Sequence, residues 1–343
     1  MDRIEAIDPP PYTITPTILA HIEEIGEAIG RAKATGAARD LTLRRINRIR
    51  TIRGSLAIEG NTLSEEQVAT ILDGEPVAGP LRDLQEVRNA IAAYDRYPKW
   101  DPANERDLLA AHEILMAGLL RAPGRYRSGP VAVMGEEGVE HLGPPARRVP
   151  RLMANLLAWV GTTNEHPLVA SSVFHYEFEF IHPFEDGNGR LGRLWQTLML
   201  TRWKALFAGI PVESLIHAHQ NDYYRAIRRS SEAGESTSFI EFMLGVILEA
   251  ARSVSSSDQV SDQVSDQVVR LLASLKTGAK AASALMAEMG LSHRPSFRKN
   301  YLRPAMSSGL VEMTRPDAPR AKNQKYRLTR RGRDALLRIS GSI

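Results

Sequence analysis

Twelve residues near the middle of the chain, 182–193, bring together a histidine, acidic residues, glycines and two arginines. His182 can act as a base near neutral pH, and Asp186 offers the hard oxygen ligands that suit Mg²⁺. Arg190 and Arg193 are three residues apart, so on a helix they would share one face and could hold a polyphosphate. This set of side chains indicates nucleotidyl or phosphoryl transfer.

The flanking segments predict how these residues are presented. Residues 174–181 follow an apolar helical pattern that Pro183 must interrupt, and a second helical pattern begins at Leu191. Gly187 and Gly189 lie in the loop between them, where the backbone could approach a phosphate closely. Because the loop opens onto a helix N-terminus, free N–H groups and the helix dipole favour an anion there.

Alternative interpretations of the loop fit its residues less well. A calcium loop could begin at Asp186 and Asn188, but Arg190 stands where a third oxygen ligand belongs and Thr197 where the closing glutamate would be. The lysine of a nucleotide-binding P-loop is missing. A plain Asp-Gly-Asn-Gly turn is the structural alternative. A phosphatase or hydrolase fits less well, because no water-activating cluster is evident.

The string resembles the signature of the Fic family, H-P-F-x-(D/E)-G-N-G-R-x-x-R. Every fixed position is matched, by His182, Pro183, Phe184, Asp186, Gly187, Asn188, Gly189, Arg190 and Arg193. The resemblance implies an all-helical core that transfers AMP from ATP to a protein hydroxyl.

The resemblance also implies roles. His182 would deprotonate a serine, threonine or tyrosine of the target protein, and Asp186 would bind Mg²⁺ bridging the α- and β-phosphates. Family members that phosphorylate their targets carry lysine in place of the second glycine, so Gly189 favours AMP transfer. The phosphates would be held by Gly187, Asn188, Gly189, Arg190 and Arg193.

Residues 55–61 first look like a helix that ends at a glycine, with Glu59 as a surface charge. Beside the central string they resemble the family's inhibitory motif, (S/T)-x-x-x-E-(G/N). The resemblance implies that Glu59 pairs with Arg193 and denies it to the γ-phosphate. Two alternatives stay open: Glu59 could orient a water that removes AMP from modified targets, or could do neither.

Residues 121–149 are glycine-rich and then briefly β-like, which predicts a hairpin. The resemblance makes this hairpin a flap, where an extended target segment would dock near Val131–Met134 through backbone bonds. It also places Asn221, Tyr223 and Tyr224 on the adenine side. His112 and His175 are predicted to be packed core histidines.

Charge divides the chain unevenly. Residues 291–343 hold 13 Lys/Arg and 3 Asp/Glu, a net charge of +10, within a chain of net charge +4. Helices near 266–276, 280–290 and 294–308 followed by two short strands resemble a winged helix. Its recognition helix would carry Arg294, Arg298, Lys299 and Arg303. A DNA-binding regulator with a Fic core is therefore the second function class, and protein contact such as a homodimer is the alternative role of this module.

The sequence thus predicts a mainly α protein with a Fic-type helical core, a small β-hairpin flap and a C-terminal winged-helix domain. The predicted regions are 1–100, carrying the inhibitory motif, a catalytic core at 101–252, a linker at 253–265 with Asp-Gln-Val repeats, and a basic domain at 266–343. With no cysteine, no signal peptide pattern and no apolar run of membrane-spanning length, a cytoplasmic protein that contacts no membrane is expected. Predicted helices before residue 253 lie near 17–35, 41–56, 64–72, 81–97, 104–120, 150–160, 166–181, 191–206, 220 onward and 236–252.

Overall fold

The structure is a computed structural model that describes residues 9–34, 41–135, 138–255, 266–318, 321 and 323–340. Most of the predicted linker and two of its Asp-Gln-Val repeats lie outside these residues. The chain divides into two compact units. The first comprises residues up to Ala34 and Asn47–Arg252, and so spans both regions that the sequence analysis separates at residue 100. The second comprises Thr35–Ile46 and Ser253–Ile343.

The prediction of a mainly α fold is confirmed. Up to residue 255 the elements are α1 (Pro16–Ala34), α2 (Leu41–Ile58), α3 (Glu65–Leu72), α4 (Leu81–Arg96), α5 (Glu105–Leu115), β1 (Ala132–Gly135), β2 (Gly138–Leu142), α6 (Val149–Thr162), α7 (Pro167–Ile181), α8 (Asn188–Trp203), α9 (Val212–Ala218), α10 (Gln220–Ala233) and α11 (Thr237–Ser255). Short 3₁₀ turns cover Tyr97–Lys99, Ala146–Arg148 and Ala205–Gly209.

Local sequence signals set several helix ends. Ser64 begins α3 with a capping box: its Oγ accepts from the Gln67 N–H at 3.2 Å, and Gln67 Oε1 accepts from the Ser64 N–H at 2.9 Å. The helix predicted over 104–120 stops at Leu115, earlier than expected, and the turn after it contains Gly118 with φ +72. Helix α9, which follows Pro211, was not predicted, because its seven residues are too short for a clear period.

Helices α7 and α8 pack directly against each other and form the centre of the first unit. Most residues of both helices are buried, and α8 buries Arg190, Arg193 and Gln196 among its apolar side chains. Phe174 and Phe178 on α7 and Leu194 and Trp195 on α8 are completely buried. The indole N–H of Trp195 donates to the Pro102 carbonyl at 2.9 Å, so burial leaves no polar group unsatisfied there. This rigid pair holds the loop 182–187 between its ends.

The predicted hairpin is present as strands β1 and β2, which pair antiparallel. The register runs from Ala132 opposite Leu142 to Gly135 opposite Gly138, with a shift between Val133 and Met134. Such a shift is typical of a β-bulge, which bends the hairpin locally.

The second unit contains the predicted order of three helical segments followed by a hairpin. Its elements are α12 (Asp266–Ser274), β3 (Lys280–Ala281), α13 (Ala282–Glu288), α14 (Arg294–Phe297), a π turn (Arg298–Leu302), α15 (Arg303–Ser307), β4 (Val311–Met313), β5 (Lys325–Leu328) and α16 (Arg330–Ser340). The strand order is β3-β5-β4, with antiparallel pairs. Strand β3 and helix α16 were not predicted.

Strand β5 shows why this small sheet forms. Tyr326 and Leu328 are buried, while Lys325 and Arg327 between them are exposed, so one face lies on the core and the other faces solvent. The core beneath gathers apolar residues from all parts of the unit, including Leu271, Leu285, Phe297, Tyr301 and Leu310. Among the described residues, no helix has both the length and the apolar character needed to cross a bilayer.

Candidate active site

His182 closes α7 in an unusual backbone conformation. Its φ of 49° is the only positive φ outside glycine among the described residues. A non-glycine residue in the left-handed region is strained, and such strain persists only where the surroundings fix it. The His182 N–H donates to the Phe178 carbonyl at 2.9 Å, and Pro183 prevents the helix from continuing. The side chain is 16% exposed, so it can still meet a substrate.

Arg127 fixes this turn from the segment that leads to the hairpin. Its Nε donates to the His182 carbonyl at 2.7 Å, and its Nη2 donates to the carbonyls of Ile181 at 3.2 Å and Pro144 at 2.6 Å. The Arg127 N–H also donates to the Pro183 carbonyl at 2.9 Å. One buried guanidinium therefore joins the His-Pro turn to the base of the hairpin. Sequence reasoning did not single it out, because nothing in its neighbours marks an arginine that binds carbonyls.

The loop that follows is held by its own side chains. Asn188 accepts from the Phe184 N–H at 2.9 Å and donates to the Phe184 carbonyl at 3.0 Å. Phe184 is completely buried and stacks on His112 with ring centroids 3.7 Å apart. Gly187, with φ +86, begins α8; a Cβ there would lie 2.6 Å from Met116 Sδ. The loop can therefore take this path only with glycine at 187.

His112 is buried, and both of its ring nitrogens also contact backbone groups of the site. Its Nδ1 accepts from the Gly124 N–H at 2.8 Å, and its Nε2 lies 2.9 Å from the Asp186 carbonyl. These partners fit the neutral ring with its proton on Nε2. Burial lowers the pKa of His112 to about 4, which agrees with that neutral form. His112 thus fixes the backbone of Asp186, a role that the sequence did not reveal.

Asp186 lies in a network of alternating charges. Its carboxylate accepts from Arg190 at 2.8 Å, from Arg82 at 3.0 Å and from the Gly187 N–H at 2.6 Å. Burial raises the pKa of Asp186, but Arg190, the Gly187 N–H and Arg82 outweigh it, so the pKa is lowered. Glu86 binds the other side of Arg190 at 3.0 Å. Asp186 is therefore ionised at neutral pH.

Arg193 is buried in α8 and is bound entirely by the end of α2. Its Nη2 donates to Glu59 Oε1 at 2.7 Å and to the Ser55 carbonyl at 2.9 Å, and its Nε donates to Ser55 Oγ at 3.2 Å. Burial alone would lower the pKa of Arg193, but Glu59 leads the groups that raise it above its usual value. The contact that the family resemblance implied between Glu59 and Arg193 is present.

The end of α2 explains why Glu59 is held there. The Asn61 N–H donates to the Leu56 carbonyl at 3.1 Å and the Gly60 N–H to the Ala57 carbonyl at 3.0 Å. With Gly60 at φ +86, these bonds form a Schellman cap in which Glu59 is the C-cap residue. Asn61 also donates to Glu86 at 2.9 Å. The cap thus fixes Glu59 beside Arg193 and reaches the partner of Arg190.

Gly189 lies directly under this ion pair. A Cβ on Gly189 would overlap Glu59 Oε1 and would come within 2.9 Å of Arg193 Nη1. The absence of a side chain therefore lets the carboxylate and the guanidinium meet above the first turn of α8.

The three residues predicted on the adenine side have different surroundings. Tyr223 is 2% exposed and its hydroxyl lies 3.1 Å from His175 Nε2, so here it belongs to the core. Tyr224 is partly buried and Asn221 is exposed. His175 is completely buried, as predicted. A role in adenine binding stays a prediction for all three residues.

The predicted metal site rests on one carboxylate. Among the described residues, no group of three or more His, Cys, Asp or Glu side chains converges on a point that could hold a metal. Mg²⁺ does not require such a cage, since it commonly binds one or two carboxylates and completes its shell with phosphates and water. The ionised Asp186, two residues before the first residue of α8, fits this mode.

Comparisons with family models and solved structures point to the Fic family, as the site residues do. A model of the Fic/DOC family matches residues 102–200, and a model of the C-terminal domain of Filamentation induced by cAMP protein Fic-like matches residues 266–329. A crystal structure of a Fic family protein from Desulfovibrio desulfuricans G20 is 53% identical and has a TM-score of 0.70; the match covers 94% of this chain and 99% of that chain.

More distant relatives share less of the chain. The protein adenylyltransferase Fic of Culex quinquefasciatus is 29% identical over 208 residues, and that of Nematostella vectensis is 28% identical over 203 residues. These matches cover 57% and 55% of this chain but only 39% and 44% of the relatives, so the chain spans less than half of their length. Fic-1 from C. elegans (residues 134–508) shares the fold at 20% identity, with a TM-score of 0.56 over 71% of this chain and 74% of that chain.

Proposed function

Since this chain belongs to the Fic family, we propose that it transfers AMP from ATP to a serine, threonine or tyrosine hydroxyl of a protein. The observation that carries the proposal is the position of His182. His182 ends α7, and its side chain is 16% exposed. One short loop separates it from the N-terminus of α8, which carries Arg190 and Arg193 in its first two turns. The base and the N–H groups at the start of α8 therefore lie at the two ends of one short loop.

The reaction would proceed by direct attack on the α-phosphorus. His182 takes the proton from the target hydroxyl, whose oxygen forms a bond to the α-phosphorus while the bond to the bridging oxygen of the β-phosphate breaks. The products are an AMP ester of the target and pyrophosphate. The N–H groups at the start of α8 and the two arginines would stabilise the charge that develops on the phosphates.

Mg²⁺ held by Asp186 would neutralise phosphate charge during this step. For Asp186 to hold Mg²⁺, Arg82 and Arg190 must share or release the Asp186 carboxylate. Arg82 is the more mobile partner, since 64% of its side chain is exposed against 4% for Arg190.

The ion pair of Glu59 with Arg193 supports a restraint on this activity. While Glu59 occupies the guanidinium, the γ-phosphate cannot use it, and ATP would bind in an unproductive orientation. Arg193 is only 2% exposed. The resting protein would therefore be slow, and loss of the Glu59 carboxylate would speed AMP transfer.

The target would dock beside the hairpin near Val131–Met134. An extended segment could add to a strand edge by backbone hydrogen bonds, which read little of the target's sequence. Arg127 supports this proposal, since it ties the base of the hairpin to the turn of His182.

The position of the transferred label tests the reaction type. Purified Glu59→Gly protein would be incubated with ATP labelled on the α-phosphate and, separately, on the γ-phosphate. We expect protein-bound α-label only, and none with Glu59→Gly/His182→Ala. Protein-bound γ-label would indicate a kinase orientation and would overturn the proposal.

We propose DNA binding as a second function, carried by the second unit. The segment Arg294–Ser307 presents four exposed cations, Arg294, Arg298, Lys299 and Arg303. No acidic residue occurs between Glu288 and Glu312, so no negative charge interrupts this segment of the sequence. In a winged-helix fold one helix enters a groove of the DNA, and both the position and the positive charge of this segment suit that role.

Matched double variants test this second function. Arg298→Gln/Lys299→Gln removes two charges from the basic segment, and Lys276→Gln/Arg331→Gln removes two exposed charges elsewhere in the same unit. If the segment contacts phosphates, the first variant should weaken duplex binding and reduce the salt slope by about 2, while the second should not. Equal effects would mean non-specific attraction to a basic protein.

A further inference from the structure

A buried carboxyl group lies beside the ring of His182. Glu179 is one turn earlier on α7 and is 9% exposed. Its Oε2 lies 3.9 Å from His182 Nδ1, and its Oε1 lies 3.9 Å from His175 Nε2. A carboxyl is rarely buried to this degree without a partner, because desolvation disfavours its charge.

The neighbouring side chains of His175 and Arg193 form their hydrogen bonds with groups other than the Glu179 carboxyl. His175 Nδ1 lies 2.7 Å from Gln196 Oε1 and its Nε2 lies 3.1 Å from the Tyr223 hydroxyl, so both ring nitrogens have partners of their own. Burial lowers the pKa of His175 to about 3, so that ring is neutral. Among the described residues, the Arg193 guanidinium donates its hydrogen bonds to Ser55 and Glu59. Among the described residues, Glu179 Oε1 has no hydrogen-bond partner.

We infer that Glu179 is a positioning residue for His182, accepting the Nδ1–H so that Nε2 carries the lone pair that takes the target's proton. This inference rests on the proposed AMP transfer. The carboxylate would orient the ring and stabilise the imidazolium that forms when the proton arrives, and would itself stay ionised. The present 3.9 Å must shorten by about 1 Å to make a hydrogen bond, which is common when a substrate completes an active site.

The charges around Glu179 link this role to the restraint. Burial raises the pKa of Glu179 to about 7, Arg193 lowers it and Glu59 raises it further. When Glu59 leaves, Arg193 would act on Glu179 without that opposing carboxylate. The change that frees Arg193 for the nucleotide would therefore also favour the ionised form of Glu179.

The neighbouring acid Glu177 provides a matched control. It lies on the same helix, and burial raises its pKa to about 7 as well, but residues two positions apart on a helix point to different faces. We would compare Glu59→Gly/Glu179→Gln with Glu59→Gly/Glu177→Gln and with Glu59→Gly alone. The readouts are the NMR titration of the His182 ring, assigned with His182→Ala, and the kcat and ATP affinity of AMP transfer.

We expect Glu179→Gln to lower the titration midpoint of His182 by about one pH unit and kcat about 10- to 100-fold, less than the about 10²- to 10⁴-fold contributed by a general base itself. ATP affinity should stay the same, and Glu177→Gln should change neither readout. Glu179→Asp keeps the charge and should shift the midpoint less. A His182 midpoint equal in the Glu179→Gln variant and its parent overturns the inference. A shifted midpoint without AMP transfer by any variant would instead contradict the proposed function.

Discussion

At the scale of single residues, Gly189 shows how closely the start of α8 is packed against the ion pair of Glu59 with Arg193. The Glu59 carboxylate and the Arg193 guanidinium occupy the space that a side chain at 189 would need. A substitution there should act through both partners and not through the helix alone.

A double-mutant cycle makes this a prediction. Gly189→Ala should destabilise the protein by about 1–3 kcal/mol through overpacking, and less when Glu59→Gly has removed the carboxylate. Chemical denaturation of the wild type, both single variants and the double variant measures the coupling. Additive effects would mean that the new methyl group does not displace Glu59.

Substitution of Arg127 should also change both the stability of the protein and the rate of the proposed AMP transfer. Arg127→Lys cannot bind the carbonyls of Ile181, His182 and Pro144 together, because an ammonium lacks the planar fork. We predict a loss of about 1–3 kcal/mol in unfolding free energy and slower AMP transfer at unchanged ATP affinity. The exposed Arg125→Lys serves as the control and should behave like the wild type. Equal stability of the two variants would refute the role of Arg127.

Glu179 gives a prediction about pH. Its pKa is about 7 in the folded chain, above the ordinary value of 4.5, so the folded state holds the proton more tightly than the unfolded state. Stability should therefore fall as pH rises from about 4.5 to 7 and then level off. Glu177 is present in both the wild type and Glu179→Gln, so its titration cancels when the two proteins are compared. Relative to Glu179→Gln, the wild type should lose about 1–3 kcal/mol of unfolding free energy over this pH range. Parallel stability curves for the two proteins would show that Glu179 does not titrate in this range.

At the scale of elements, the end of α2 decides where Glu59 lies. Gly60 adopts φ +86, and a Cβ there would meet nothing within 4 Å, so Gly60→Ala adds backbone strain without a clash. Gly74, at the end of α3, has φ +78 and equally open surroundings. The two helix ends have similar backbone geometry at their glycines, but only the end of α2 carries a residue that binds Arg193.

We predict that Gly60→Ala and Gly74→Ala each cost about 1 kcal/mol of stability, but that only Gly60→Ala raises AMP transfer. A weakened cap of about this size would release Glu59 several-fold more often. Thermal unfolding and α-label incorporation measure the two effects. Activation by Gly74→Ala to the same degree would show that general loosening, and not Glu59, sets the rate.

The helices also show what sequence alone could provide. Most helix positions and the hairpin follow from apolar periodicity, proline and glycine, and the capping box at Ser64 marks the start of α3. The pairing of Glu59 with Arg193 came from a family pattern, since 134 residues separate the two partners. Arg127, His112 and Glu179 were missed as site residues, because their partners are backbone carbonyls or rings that only the folded chain brings near.

At the scale of the whole molecule, the residues of the two proposed functions belong to different compact units. The first unit contains His182, the loop 182–187 and the ion pair of Glu59 with Arg193, carried by α2, α7 and α8. The second is a small helical unit with a three-stranded sheet and a basic segment. The sequence predicted both through charge and periodicity, but β3 and α16 were missed, since two residues of strand give no pattern and α16 follows the hairpin directly.

The central claim is that Glu59 restrains AMP transfer by holding Arg193. The most direct test compares initial rates of α-label transfer by the wild type, Glu59→Gly, Glu59→Gln and the exposed control Glu75→Gly, at equal ATP occupancy. We predict that both substitutions of Glu59 speed transfer at least tenfold and that Glu75→Gly leaves it unchanged. Equal rates in all four proteins would contradict the claim, and loss of AMP removal in the Glu59 variants would assign Glu59 to that reaction instead.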